Sequence, residues 1–282
     1  MKQPADFLMI YPHSDVEAYS QRVLLSVLKA EGFSVHLLLI PSSDEMRQSP
    51  LMQEGFLDMI SMSKIIGFGF MSTGYRSASY LTKLIRSKFK KPVIWGGPHC
   101  TTSFRHLIGA ADAIFVGESE AVLSKYVSLT LAGKSVEQLP QMVTDDPRFI
   151  PANKDDFVSD LDKLPLAHYS RDGQTLIYRG SIEDDVNKFK IRFGDMHVMT
   201  TRGCPYQCSY CANSYLKQFL PEGVKPLRMK DFDLVIKEVS KYREIYGLNS
   251  VAIEDDLFLI RPADEIESFV AKYNAQVNAP IS

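Results

Sequence analysis

The sequence predicts an α/β chain in two parts, a doubly wound, Rossmann-like domain followed by a partial parallel β/α barrel. Three observations predict it. Five apolar runs of strand length, at 7–11, 35–40, 65–70, 93–95 and 113–116, alternate with segments of helical period. Each run is apolar on both faces, as parallel strands covered by helices on both sides must be. A second strand–loop–helix–strand series begins near His197 and carries three cysteines in its first loop.

Size and composition agree with two domains. The chain has 282 residues, and domains usually hold roughly 100 to 200. A net charge of -2 leaves no basic surplus for a phosphate backbone, so no nucleic acid partner is indicated. The first apolar run is far too short for a signal-peptide core or a membrane span, so no membrane partner is expected and a cytoplasmic location is. Four cysteines are too few for a disulfide framework, and three of them lie between Cys204 and Cys211, which points to a metal.

The first helical stripe is Val16, Tyr19, Val23, Val27 and Leu28, with Gly32 as its stop. Tyr80, Leu81, Leu84, Ile85 and Phe89 form a second, and Val122, Leu123, Tyr126, Val127 and Leu131 a third; all three are read as packing on the sheet. Ligands of such folds bind beyond the carboxyl ends of the strands. Four loops lie there: Tyr11-Pro12-His13, the segment from Gly69 to Gly74, Gly96-Gly97-Pro98-His99, and Gly117-Glu118-Ser119-Glu120. Their glycines permit close backbone approach to a ligand, and equally suit tight strand-to-helix turns. The absence of G-x-G-x-x-G after the first strand argues against a dinucleotide, and no phosphate-loop lysine motif occurs.

The segments Ile66-Gly67-Phe68-Gly69-Phe70, Trp95-Gly96-Gly97-Pro98-His99 and Val116-Gly117-Glu118-Ser119-Glu120 resemble the strand ends of the cobalamin-binding domain found upstream of many radical S-adenosylmethionine enzymes. The resemblance implies a cobalamin domain over residues 1–135, with the cofactor's tail along Ser72, Thr73, Gly96, Gly97, Gly117 and Glu118. Members that ligate cobalt through histidine carry D-x-H-x-x-G after the first strand. Here Tyr11-Pro12-His13-Ser14-Asp15 stands instead, which implies no lower axial histidine; His13 and His99 are read as loop or cap residues. Residues 136–190, with Pro140, Pro147, Pro151 and Pro165, are expected to form an irregular linker whose Glu183-Asp184-Asp185 run is solvated. Within it, Leu161-Asp162-Lys163-Leu164-Pro165 resembles the segment joining the two domains in that family.

The remaining span, 191–282, opens with a strand leading to Thr201-Arg202-Gly203-Cys204-Pro205-Tyr206-Gln207-Cys208-Ser209-Tyr210-Cys211. Three thiolates at C-x3-C-x2-C spacing suit one metal centre, and three ligands for a four-iron cube leave one iron open to substrate. The spacing and Tyr210 resemble the radical S-adenosylmethionine signature. That resemblance implies a [4Fe-4S] cluster on Cys204, Cys208 and Cys211 and S-adenosylmethionine chelated at the free iron. It also implies cleavage to a 5'-deoxyadenosyl radical, with Tyr210 near the adenine. A helix stripe at Leu234, Val235, Val239, Tyr242 and Ile245, ended near Gly247, precedes a strand over 250–253 that delivers Glu254-Asp255-Asp256. Glu254 or Asp255 is the candidate partner of the methionine ammonium; the other reading of the triplet is a helix cap. A zinc site with His197 as fourth ligand is the alternative for the cysteines. Cys100 is expected to be a small buried residue.

A full eight-unit barrel takes about 250 residues, so 191–282 has room for two units and the start of a third, near 276–282. A truncated barrel, and a chain inactive by itself, is the expectation. By resemblance the activity is methyl transfer to an unactivated carbon with cobalamin, a [4Fe-4S] cluster and S-adenosylmethionine as cofactors. The implied partners are a small-molecule or biosynthetic-intermediate substrate and an electron donor such as flavodoxin or ferredoxin. Cyclisation or rearrangement chemistry, or a non-catalytic cobalamin- or zinc-binding sensor module, are the alternatives. Methylthiotransferases need three further upstream cysteines, and only Cys100 is present there.

Overall fold

A computed structural model describes residues 4–13, 15–41, 43–189 and 195–282. Its strands are β1 Ala5–Tyr11, β2 Val35–Leu39, β3 Ser63–Gly69, β4 Val93–Gly96, β5 Ala113–Phe115, β6 Met142–Val143, β7 Gln174–Tyr178, β8 Ser181–Glu183, β9 Asp195–Val198, β10 Thr201–Arg202, β11 Arg228–Met229 and β12 Ser250–Ile253. The helices are α1 Tyr19–Ala30, α2 Ser43–Gln48, α3 Pro50–Ser61, α4 Tyr75–Arg86, α5 Pro98–Leu107, α6 Glu120–Leu131, α7 Ala212–Leu216, α8 Phe232–Tyr246 and α9 Ala263–Gln276.

The first eight strands make one sheet in the order β6-β5-β4-β3-β1-β2-β7-β8. Its parallel centre, β2-β1-β3-β4-β5, is the doubly wound order, and the order of strand addition reverses between β1 and β3. Leu8 and Ile10 face one apolar layer, Phe7 and Met9 the other, and all four are buried. That is why the runs read as apolar throughout instead of alternating.

Two expectations change here. Residues 136–189 are not irregular throughout: β6 adds antiparallel to β5, while β7 joins β2 in parallel and turns back into β8. The segment thus covers both edges of the parallel core, protecting backbone groups that would otherwise be unpaired. Its strands are short and set among prolines and aspartates, so periodicity did not show them. The first helix also starts later than its stripe, at Tyr19, because Ala18 is left-handed (φ 48°, ψ 39°) and breaks the run after Val16. Buried Arg22 holds this turn, donating from Nε to the Glu17 carbonyl at 2.7 Å and from Nη2 to the Val16 carbonyl at 3.2 Å.

In the second part, β9 and β12 pair in parallel, with α8 between them in sequence and α9 after. Asp231 caps α8 by accepting from the Asp233 N–H at 2.7 Å, and Gly247 ends it at φ 78°. A parallel bridge joins Val251 of β12 to Ile281. Val235, Val239, Tyr242, Phe269 and Tyr273 form this region's core together with Val23 of α1 and Ala167 and Tyr169 of the connecting segment. Among the described residues, no helix is long and apolar enough to cross a membrane.

Candidate functional site

The crevice at the β1/β3 switch point opens into a cavity of about 440 Å³, within the range of roughly 300 to 1,000 Å³ common for ligand pockets. Its floor is the sheet, with Gly67, Gly69, Gly96 and Gly97 on the wall, and the barrel closes it with His197, Met199 and Glu254. A larger open groove of about 1100 Å³, between α1, α6 and residues 154–165, reaches neither the cysteines nor these strand ends. The cavity between the two parts, which collects these strand ends although none of the three cysteines lines it, is the candidate site.

Glycine at 97 is required by geometry: φ is 104°, and a Cβ would lie 2.6 Å from the Phe70 carbonyl oxygen. This close crossing brings the loops after β3 and β4 together at the cavity mouth. The loops are braced by histidines. His13 accepts from the Met71 N–H on Nε2 at 3.1 Å, which leaves Nδ1 facing Thr73 Oγ1 at 3.4 Å. His99 Nδ1 meets Ser72 Oγ at 2.9 Å. Burial lowers the pKa of both imidazoles.

Of the six residues assigned to the cofactor's tail, Gly96 and Gly97 line the cavity, whereas Ser72, Thr73, Gly117 and Glu118 do not. Ser72 and Thr73 are engaged by the histidines. Glu118 is committed to Arg202 (2.9 Å) and Arg228, which hold its carboxyl below the usual range although burial alone would raise it. The sequence offered no sign of this, because its partners lie more than eighty residues away.

The two carboxylates after β12 separate into different roles. Asp255 accepts from the Thr200 N–H at 2.7 Å and the Thr201 N–H at 2.9 Å, and also from the Thr200 hydroxyl. It fastens the end of β12 to the approach of the cysteine loop, and does not line the cavity. Glu254 does line it, half-exposed, with one carboxylate oxygen 3.0 Å from His197 Nδ1. The side chains missed from sequence are Glu17, Tyr19 and Gln21, brought to the cavity by the left-handed turn at Ala18. Burial pushes the Glu17 carboxyl up to about 7, against the opposing charge of Arg22, and its oxygens accept from the Tyr242 hydroxyl at 3.2 and 3.3 Å.

The cysteine loop is held from both ends. Gly203 (φ 80°) passes so close to the Pro226 carbonyl oxygen that a Cβ would overlap it, and Lys217 Nζ donates to the Tyr206 carbonyl. Cys211 sits at the N-terminus of α7, and Ser214 Oγ donates to the Cys208 carbonyl at 2.8 Å. Cys204, Cys208 and Cys211 are free and partly exposed, a soft donor set suited to iron–sulfur ligation. Among the described residues, no three His, Cys, Asp or Glu side chains converge as a metal site, so the thiols share a loop without closing on one point. His197 is not gathered with them, as the zinc alternative requires. Tyr210 is 90% exposed and stands apart from the cavity. Cys100 is buried in α5 and its thiol pKa is pushed up by burial, which matches a small core residue.

Solved structures share this fold. The chain superposes on the radical S-adenosylmethionine methyltransferase TsrM of Kitasatospora setae with tryptophan substrate and an S-adenosylmethionine analogue bound, at a TM-score of 0.70. That alignment covers 95% of this chain and 51% of TsrM at 18% identity. TsrM with cobalamin and a [4Fe-4S] cluster bound gives a TM-score of 0.69, 16% identity, and coverage of 95% and 53%.

Sequence relatives are more distant in length. An uncharacterized methyltransferase of Pyrococcus horikoshii is 27% identical over 187 residues, 62% of this chain and 35% of its own. A Methanocaldococcus jannaschii protein named as a methylthiotransferase is 22% identical over 257 residues, 90% of this chain and 48% of its own. The chain thus spans about a third to a half of the length of these relatives. No family model matches it.

Proposed function

We propose that this chain is the cobalamin-binding and cluster-binding part of a radical S-adenosylmethionine methyltransferase. The observation that supports the reading best is a free C-x3-C-x2-C loop a few residues beyond β9, the strand whose end, at His197 and Val198, lines the strand-end cavity of a doubly wound domain. The likeness to TsrM, whose structures hold cobalamin, a [4Fe-4S] cluster and an S-adenosylmethionine analogue, supports it.

When bound, the cluster supplies the electron that cleaves S-adenosylmethionine, and cobalamin supplies the methyl group. The protein's part is placement and exclusion of water. Cys204, Cys208 and Cys211 would hold the cluster; Gly96 and Gly97 would admit the cobalamin tail to the cavity. Glu254 would receive the ammonium of S-adenosylmethionine, with His197 fixing its carboxylate. Asp255 would position Glu254 by pinning Thr200 and Thr201. The substrate would be a small molecule presented at the open end of the barrel, and reduction would come from a partner such as flavodoxin or ferredoxin.

The test is elemental analysis after anaerobic reconstitution with iron, sulfide and hydroxocobalamin. About four irons and one cobalt per chain are expected from the cluster stoichiometry. Iron without cobalt would remove cobalamin from the reading, and zinc alone would favour a sensor module. Cys208→Ala is expected to abolish iron uptake while cobalt uptake persists.

A further inference from the structure

Four charged side chains join the two parts of the molecule beside the cavity. Arg202 Nη1 lies 2.9 Å from Glu118 and 2.6 Å from Glu120, and Arg228 donates to both oxygens of Glu118. Arg202 and Arg228 stand directly opposite each other in the β10–β11 ribbon. Like charges facing across a ribbon repel, so the bridging Glu118 carboxylate is what makes the ribbon compatible with two arginines. Arg228 is fixed further by the Val158 carbonyl at 3.0 Å and by the Phe157 ring 4.7 Å beneath it. Glu120 and Arg228 are buried, and removing one member of a buried network leaves an uncompensated charge, so the four hold or fail together.

The position of this network is its significance. Ser119, between the two glutamates, lines the cavity. Arg202 is followed by Gly203 and Cys204, and Gly203 is itself clamped against Pro226 at the approach to β11. The network therefore ties the loop after β5, through buried charge, to the strand that precedes Cys204.

We propose that Glu118, Glu120, Arg202 and Arg228 couple occupancy of the strand-end cavity by a corrinoid to the redox state of the cluster on the cysteine loop, with Arg202 as the positioning residue. The proposal rests on the function given above. Coupling of this kind is reciprocal: if cobalamin binds differently to the oxidised and reduced forms, it must shift the cluster potential by the same free energy.

The experiment is an EPR-monitored redox titration of the reconstituted chain with and without hydroxocobalamin, for the parent, Arg202→Gln, Arg202→Lys and Glu120→Gln. For the parent, an affinity difference of at least about tenfold is expected, read as a shift of about 59 mV for a one-electron couple. In Arg202→Gln the difference should fall below about threefold while iron and cobalt both remain bound, and Arg202→Lys should recover part of it. No shift in the parent, or a full shift in Arg202→Gln, would overturn the coupling. So would loss of iron from both Arg202→Gln and Glu120→Gln with cobalamin still bound, which marks a purely structural network. A parent that takes up no iron or no cobalt fails the functional reading itself, a result separable from the others by elemental analysis.

Discussion

The doubly wound domain and the barrel segment solve the same packing problem in different ways. The parallel core of the first has apolar layers on both faces and is flanked at its edges by β6 and by β7 with β8. Among the described residues the barrel segment has the β9–β12 pair, the β10–β11 ribbon and one bridge, and its core includes Val23, Ala167 and Tyr169 from outside. Large apolar side chains remain open on it, Tyr210 at 90% and Leu259 at 79% exposed. The first region is organised by its own sequence, the second by what it leans on, and cooperative units of different stability are the expected result.

The strongest way to break this comparison is Tyr242→Ala. Tyr242 is fully buried, packs edge-on to Tyr169 at 4.9 Å and donates to Glu17. A loss of about 3–5 kcal/mol is expected for truncating a buried aromatic. Hydrogen exchange should show α8 and β12 losing protection while β1 and β3 keep theirs; uniform loss would mean that the two regions unfold as one.

Two buried groups of the first region should also respond to acid in opposite directions, His36 inside its sheet and Glu17 where it meets Tyr242 of α8. Burial pushes the His36 imidazole down to about 4, and it is hydrogen-bonded to Thr175 Oγ1 at 2.8 Å between β2 and β7. Its folded pKa is below the unfolded value near 6.5. The stability it contributes is therefore full above pH 6.5 and lost as pH falls toward 4, by about 3 kcal/mol. Glu17 is raised, to about 7, so its contribution is full below its unfolded pKa near 4.5 and lost as pH rises through 7. Denaturant melts across pH 4 to 8 should show both slopes, with His36→Gln removing the first and Glu17→Gln the second.

Backbone geometry sharpens the comparison at smaller scale. Gly97→Ala is expected to cost about 2–3 kcal/mol, combining a left-handed backbone with overlap on Phe70. Gly32→Ala, at φ 88° with open space around it, should cost about 1 kcal/mol, read from the urea midpoint. The smallest effect is Ala18→Gly, which should stabilise by about 0.5–1 kcal/mol by relieving the left-handed turn, despite the added freedom of glycine in the unfolded chain.

Much of this molecule is readable because its signals are local. β1 to β5 fall on the five apolar runs, since burial on both faces leaves a mark in consecutive residues. α8, its Gly247 stop and β12 fall where the helix stripe and the following run place them. The helices α2, α3, α5, α7 and α9 are not singled out from sequence; α2 and α7 are short, and α3 begins at Pro50 after the Ser49 cap. β6, β7 and β8 were hidden because they are short and owe their pairing to open sheet edges that the sequence of 136–190 does not contain.

The site divides along the same line. The cysteine spacing and the glycine pairs after the strands are contiguous patterns, and they locate the loops and the chemistry their donors can offer. Which carboxylate faces the cavity is a question of direction, and the fold answers it by consuming Asp255 on Thr200 and Thr201 while leaving Glu254 beside His197. Glu118 reads as a loop carboxylate and becomes an ion-pair partner only because Arg202 and Arg228 are carried to it across the domain boundary. Period and spacing are properties of neighbouring residues, so the sequence alone determined the doubly wound core and the barrel's first units. Charge pairing and the assembly of the cavity depend on atoms close in space and distant along the chain, and only the tertiary structure decided them.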